Sequence, residues 1–543
     1  MLPLPREVDT KNTFFGGAAI LAAGIAVVKL IGALYKIPIG NILGDEGNGH
    51  FSNAYIIYNL LLMVSTAGLP IALSKTISEA NTQGRRNQVH RIFNVALVAF
   101  CLLGLVSFLV MYLFAGSLSE FQGDGSAIYA VRALAPACLI VCVISAFRGY
   151  AQGHSNMVPT SISQIIEALG KLVIGVALAW YLMKIGAGSA KAAAGAIFGV
   201  TTGAGISLVF LIFDHISRRR REERLSHDEP DSRGAILRRL LIIAIPITIG
   251  ASVVPVTSWL DTYQVQNILR DVLHAQSAGW YLDNKVTDPV VAMYGAYQKA
   301  MNVFNLPSSF MVALTASIIP AISACCARKD KKGAGQIAES SLRVGIMLAC
   351  PAGVGLFVLA SPIMMLLYPG TDHTVADPCM AVLGIASIFV CIMFLCNAIL
   401  QASGFVNLPI VVMAAGCAAK LIVNNFLVQM EGVGITGAPV GTLVCYFLIA
   451  VLELVIIKRV IPFPPKYSLV FLKPLAASIV MGGTVWAIYG LLSRFLGNTL
   501  STIGAIGAGG LVYVILIVAS RAISRADLML MPKGEKIAKI LGL

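Results

Sequence analysis

Runs of about 20 apolar residues, each closed by charges or a turn cluster, follow one another along nearly the whole chain. A helix of that length crosses a hydrocarbon core of roughly 30 Å, so each run predicts one transmembrane helix. Fourteen are predicted, at 13–36, 52–74, 92–116, 127–149, 159–183, 192–213, 239–262, 290–320, 341–367, 378–401, 409–429, 435–457, 473–494 and 501–521. Between the seventh and eighth, residues 263–289 are polar and aromatic and predict an outer loop with a short interfacial helix. The run GDEGNG (44–49) reads as an outer turn, without the spacing of a calcium loop. The fold class expected is an all-α integral membrane protein.

The pattern repeats once. The segment AFRGYAQGHSNMVPTSISQIIEALGKLVIG (146–175) parallels FLCNAILQASGFVNLPIVVMAAGCAAKLIVN (394–424), placing Gln152 on Gln401, Pro159 on Pro409 and Lys171 on Lys420 at offsets of 249 or 250. Pro70 falls on Pro320 at 250, and GAIFG (195–199) on GAPVG (437–441) at 242. Six helices separate equivalent positions. Because six is even, both halves cross in the same sense, as in a parallel transporter repeat about an axis along the membrane normal. Three parts are expected: a six-helix lobe over 1–229, a second over 230–459, and a helix pair with a basic cytoplasmic tail over 460–543. The charged loop 214–238 is the expected linker.

Composition removes the competing classes. Hydrophobic residues make up 57% of the 543 and charged residues 12%, against about 25% charged in soluble domains. Mean hydropathy is +0.82. Soluble, disordered and coiled-coil classes are excluded. The net charge of +14 would ordinarily raise nucleic acid as a partner. With the N-terminus inside, however, 29 of the 40 Lys and Arg fall in inner segments, 7 in outer segments and 4 at membrane depth. Most of the excess is therefore an orientation signal, and no nucleic-acid partner is expected. The richest inner segments are 218–239, 328–332 and 521–539, while Trp180, Trp259 and Trp280 fall near outer ends as an interfacial belt. The expectation is a monomer in the bacterial plasma membrane with both termini cytoplasmic. Residues 1–12 mix both charge signs and the following apolar run is too long for a cleaved export signal. Most of the eleven cysteines sit in apolar runs and read as small buried hydrophobes, without zinc spacing.

Charges at membrane depth carry the chemistry, because each costs at least about 2.5–3.5 kcal/mol at a helix centre. Four lysines qualify: Lys29, Lys171, Lys299 and Lys420. Each can snorkel, pair with a neighbour or face a wet cavity. Glu167 stands four residues before Lys171 and is a local partner for it. Lys29 and Lys299 have no such neighbour, which favours function. Lys420 lies a turn from Asn424 and Asn425, which could solvate it. Acidic residues at depth are scarcer, namely Glu167, Asp261 and Glu453, so the balance suits an anionic group better than a cation. Asn53, Asn59, Gln164, Gln298, Asn302, Asn305, Asn397 and Gln401 could line a cavity, although interhelical hydrogen bonding is their commoner role. No phosphate loop, HExxH, GxSxG or dinucleotide fingerprint is present, so neither an enzyme nor a bound cofactor is expected. Energy would come from membrane potential or an ion gradient.

GALYKIPIGNILGDEGNGHFSNAYIIYNLLLMVSTAGLPIALSKTISE (32–79), SQIIEALGKL (163–172), YGAYQKAMNVFNLP (294–307) and RADLMLMPKGEKIAKIL (525–541) resemble the stage V sporulation protein B and lipid II flippase group. That group belongs to the polysaccharide exporter branch of the multidrug/oligosaccharidyl-lipid/polysaccharide superfamily. The resemblance implies two six-helix lobes plus a final helix pair that offers a groove for a lipid tail. It also implies alternating access that carries a polyprenyl-pyrophosphate-linked sugar to the outer leaflet. A basic residue in the first helix and another in the eighth bind the headgroup in lipid II flippases. Here those positions hold Lys29 and Lys299, with Lys171, Lys420, Glu167, Asn53 and Asn302 around the expected cavity. Lysine matches the charge of arginine and not its bidentate fork. NLLLMVSTAG (59–68) lacks the second-helix arginines of some flippases. The expected cargo is an undecaprenyl-linked glycan precursor for cell wall, spore cortex or envelope polysaccharide, with lipid II favoured. The alternatives are an organic-cation antiporter, which needs a cavity carboxylate, and a glycosyltransferase or polymerase on the same carrier.

Overall fold

The computed structural model describes residues 10–222, 228–273, 287–465 and 467–520, and no strand occurs among them. Trp280 and the basic tail 521–539 lie outside the described residues. The helices are α1 (Thr10–Thr66), α2 (Leu69–Thr82), α3 (Arg86–Leu113), α4 (Ala115–Phe121), α5 (Ile128–Gly153), α6 (Val158–Gly170), α7 (Val176–Lys184), α8 (Ser189–Glu222) and α9 (Arg233–Leu273). They continue as α10 (Pro289–Ala327), α11 (Lys331–Val358), α12 (Ala360–Leu367), α13 (His373–Ala402), α14 (Asn407–Leu427), α15 (Gly437–Val460), α16 (Tyr467–Leu492) and α17 (Asn498–Ala519). A π-helical turn, Lys171–Gly175, joins α6 to α7.

Among the described residues, twelve segments are long and apolar enough to cross a membrane. One of them, Val27–Thr82, holds the second predicted span and the end of the first, the rest of which lies in α1, and α10 covers the eighth. Fourteen crossings are compatible with these helices. Two local expectations change. The predicted turn at 44–49 is a kink: Gly44 takes φ 67° and helix resumes on its far side, a conformation that glycine adopts without a Cβ clash. Residues 263–273 are not loop either, because α9 runs on through them. The predicted interfacial helix beyond 273 lies outside the described residues.

The chain forms two compact units. The first comprises Met1–Leu43 with His50–Trp259, and the second comprises Gly44–Gly49 with Leu260–Leu543. The division falls within α9 and exchanges six residues of α1. In the first unit, Tyr35, Ile39 and Ile57 pack against alanine-rich faces of α5 and α8. A methyl group on Gly199 would collide with the backbone of Gly175, and one on Gly170 with Gly203. Such small-residue faces let membrane helices approach closely where lipid supplies no hydrophobic drive. In the second unit α13 is the central helix, packed by α10, α11 and α15. Large apolar side chains such as Phe213, Ile249, Phe426 and Trp486 remain exposed, which suits helices solvated by lipid.

The described end of the expected linker docks on the first unit. Asp228 accepts from the backbone N–H groups of Asn87 (3.0 Å) and Gln88 (2.9 Å), capping α3. Asp231 accepts from Gln88 Nε2 at 2.8 Å and pairs with Arg85 at 3.0 Å. Asp228→Ala should therefore lower stability by about 1 kcal/mol, the ordinary loss for a helix cap, read as a fall in melting temperature. An unchanged melting curve would show that the cap contributes nothing.

Candidate functional site

The first unit gathers three lysines. Lys29 and Lys36 are seven residues apart on α1 and so share one face. Lys29 is exposed and Lys36 half-buried. Lys36 lies within Coulombic reach of both Lys171 and Lys29. Lys171 Nζ is 3.3 Å from Tyr55 Oη and stands over the rings of Tyr55 (4.7 Å) and Tyr35 (4.9 Å). Glu167, the expected partner of Lys171, instead accepts from Arg148 Nη2 at 3.0 Å, and Arg148 Nε donates to Ser163. No carboxylate pairs with Lys29, Lys36 or Lys171 among the described residues. Aromatic faces attract a cation without neutralising it, leaving the cluster a net attraction for an anion. Lys36 is the last residue of the first predicted span and is not among the four lysines read at membrane depth; its spacing of seven from Lys29 is the signal that places both on one face.

The second unit treats its lysines differently. Lys299 is 1% exposed and donates to Asp45 Oδ1 at 2.7 Å. Asp45 also accepts from Thr371 Oγ1 (2.6 Å) and the Asp372 N–H (2.8 Å), so its carboxylate is held by three donors. Glycines permit the approach, since a methyl group on Gly295 would collide with the Asp45 carbonyl and one on Gly49 with that of Val291. Lys299 therefore has a partner, 254 residues away in sequence. Lys420 is paired as well, to Asp261 Oδ2 at 2.7 Å, while Asn424 donates to Oδ1 of the same carboxylate at 2.5 Å. Asn424 thus holds the counter-ion rather than the lysine, and Asn425 is exposed.

The remaining expected site residues expose a deeper layer of the repeat. At an offset of 249, His50 falls on Lys299 and Asn53 on Asn302; at 248, Asp124 falls on Asp372. In the first unit His50 Nδ1 lies 2.8 Å from both oxygens of Asp124, and Asn53 donates to Oδ2 at 2.9 Å. Both aspartates also cap helices, Asp124 at Ala127 and Asp372 at Thr374. Equivalent positions of the two halves hold a basic residue and a capping aspartate, in direct contact in the first unit and joined through Asp45 in the second. Asn302 is half-buried on α10.

A further cavity of about 510 Å³ in the second unit is lined almost entirely by apolar groups, including Leu306, Phe310, Met311, Leu356, Met481 and Ile506. The last two belong to the final helix pair, α16 and α17. No group of three or more His, Cys, Asp or Glu side chains that could hold a metal occurs among the described residues.

Residues 14–325 match the family described as "Polysaccharide biosynthesis protein", which is more than half of the chain. The chain belongs to the polysaccharide biosynthesis protein family. This family member also matches the MatE family over 292–426. It is 25% identical over 529 residues to stage V sporulation protein B of Bacillus subtilis strain 168, covering 96% of this chain and 98% of that one. It is 24% identical over 465 residues to lipid II flippase MurJ of the same organism, covering 82% of each. Over 545 residues it is 24% identical to the uncharacterized membrane protein YabM, also of that organism, covering 98% and 97%. Among solved structures, lipid II flippase MurJ in an inward closed conformation superposes with a TM-score of 0.70 at 15% identity, covering 93% of this chain and 99% of that one. An inward-facing multidrug resistance MATE transporter of the MOP superfamily gives 0.62 at 13% identity, covering 80% and 96%. The polysaccharide biosynthesis protein described here is thus a multi-pass membrane protein with the MurJ and MATE fold. The activities named among these proteins are those of transporters and a flippase, not of enzymes.

Proposed function

We propose that the chain is a flippase for a polyprenyl-pyrophosphate-linked glycan precursor, with peptidoglycan lipid II the favoured cargo, moved from the inner to the outer leaflet by alternating access. The observation that carries this reading is the un-neutralised cluster of Lys29, Lys36 and Lys171 beside Tyr35 and Tyr55. A pyrophosphate supplies the missing negative charge, and lysine ammonium groups and a tyrosine hydroxyl donate to its oxygens. The apolar cavity beside α16 and α17 fits the isoprenoid chain. Lys299 and Lys420 then act through Asp45 and Asp261, shaping charge rather than gripping cargo. Similarity to MurJ supports the same cargo class. An organic-cation antiporter fits less well, because Asp45 and Asp261 are each bound to a lysine.

Basic segments point to cytoplasmic termini, and the chain acts as a monomer. In liposomes, labelled lipid II should move between leaflets in the presence of the protein, and a non-peptide polyprenyl glycan should move more slowly. Transport of neither would overturn the flippase reading; preference for the second would reassign the cargo.

A further inference from the structure

Glu453 is a buried ionisable side chain of the second unit that stands apart from its ion pairs. It lies within α15, wholly buried, and neither carboxyl oxygen has a hydrogen-bond partner. Among the described residues no ion pair reaches it. Cys396 of α13 lies within electrostatic reach. The Tyr467 hydroxyl donates past it to the Leu454 carbonyl at 2.7 Å. On its own helix Cys445 and Tyr446 stand two turns back, while Lys458 and Arg459 are exposed at the end. Other charged groups of the second unit are engaged elsewhere: His373 with Asp377, Lys420 with Asp261, Glu339 with Arg343, and Lys473 on the Ser520 carbonyl. Lys466 lies outside the described residues.

The repeat shows that packing does not require an acid here. At the offset of 242 that aligns GAIFG with GAPVG, Glu453 falls on Leu211, which is buried in an apolar cluster of the first unit. One half fills the position with a leucine and the other with a carboxyl group. A carboxylate without a partner is strongly disfavoured in such a setting, whereas the neutral acid is tolerated.

We infer that Glu453 is a proton-binding site that couples the second unit to a proton gradient. Its O–H bond forms when water reaches it from the proton-rich side, and the neutral acid is then enclosed. When α15 opens to the other side the bond breaks, the proton passes to water, and a carboxylate remains to be reloaded. This coupling role deepens the flippase reading and rests on it; the proton site itself does not.

Two measurements on the purified full chain separate them. Infrared spectra at neutral pH should contain a protonated-carboxyl band that Glu453→Gln removes. A band unaltered by the substitution would overturn the site. In proteoliposomes with the potential clamped, wild-type flipping of labelled lipid II should rise several-fold under an imposed pH gradient, while Glu453→Gln and Glu453→Leu flip at one rate with or without it. A gradient response retained by both variants, or absent from the wild type, would overturn the coupling. Glu453→Leu places the first unit's own residue there, and an unchanged melting temperature shows that it folds. If no protein moves lipid II yet the band depends on Glu453, the flippase reading fails and the proton site stands.

Discussion

Asp45→Ala should destabilise the protein by about 3–5 kcal/mol, because it strands a buried ammonium group. Lys299 has no other carboxylate in contact among the described residues; the Tyr368 ring, 5.5 Å from Nζ, is a weak substitute. The Thr371 hydroxyl and the Asp372 N–H lose their acceptor at the same time. Lys299→Met should cost less, since Asp45 would keep two donors. The double variant Asp45→Leu with Lys299→Met should recover most of the loss, because an apolar pair often replaces a buried ion pair at little cost. Thermal unfolding in detergent measures all three, and adding Asp45→Leu alone closes the cycle that gives the coupling energy. If Asp45→Ala and Lys299→Met lost the same small amount, the pair would not be a buried lock.

Lys36→Gln and Lys171→Gln should each lower flipping at sub-saturating lipid II about 10- to 100-fold. A hydrogen bond to a charged group contributes about 1.5–3 kcal/mol, and each 1.4 kcal/mol is a factor of ten. Removing one cation also relieves repulsion, which is about 4 kcal/mol for like charges 4 Å apart near a surface and half that at 8 Å. Folding stability should accordingly hold or rise while transport falls. That opposition distinguishes an anion site from a structural cluster, in which stability and transport would fall together. Lys36→Arg should retain most transport. Full flipping by Lys36→Gln would remove that residue from the site.

Periodicity carried the fold, because a bilayer leaves a helix few options: every backbone group must be satisfied internally, so length and polarity mark each span. The repeat was legible through prolines and lysines at a fixed offset. Pairing was not. The partner of Lys299 enters from a segment 254 residues earlier that local polarity presents as a turn. Glu167 looked like the mate of Lys171 at helical spacing, yet Arg148 holds it, and Lys171 opens a π-helical turn beside two tyrosines. Lys36 was hidden differently: at the edge of a predicted span it passes for an anchor. Local spacing reports neighbours on one helix, whereas a charge in a membrane is settled by whichever helix packs across from it.

The kink at Gly44 bears on ancestry. The repeat records two copies of one ancestral half, and such a history invites the idea that either half could be encoded and produced alone. Gly44–Gly49 belong to the second unit although they are encoded with the first. A gene split after residue 229 would leave the downstream polypeptide without Asp45 and with Lys299 unneutralised, so co-production of both fragments would be needed for a stable product. The loan of six residues turned a duplicated module into an indivisible one.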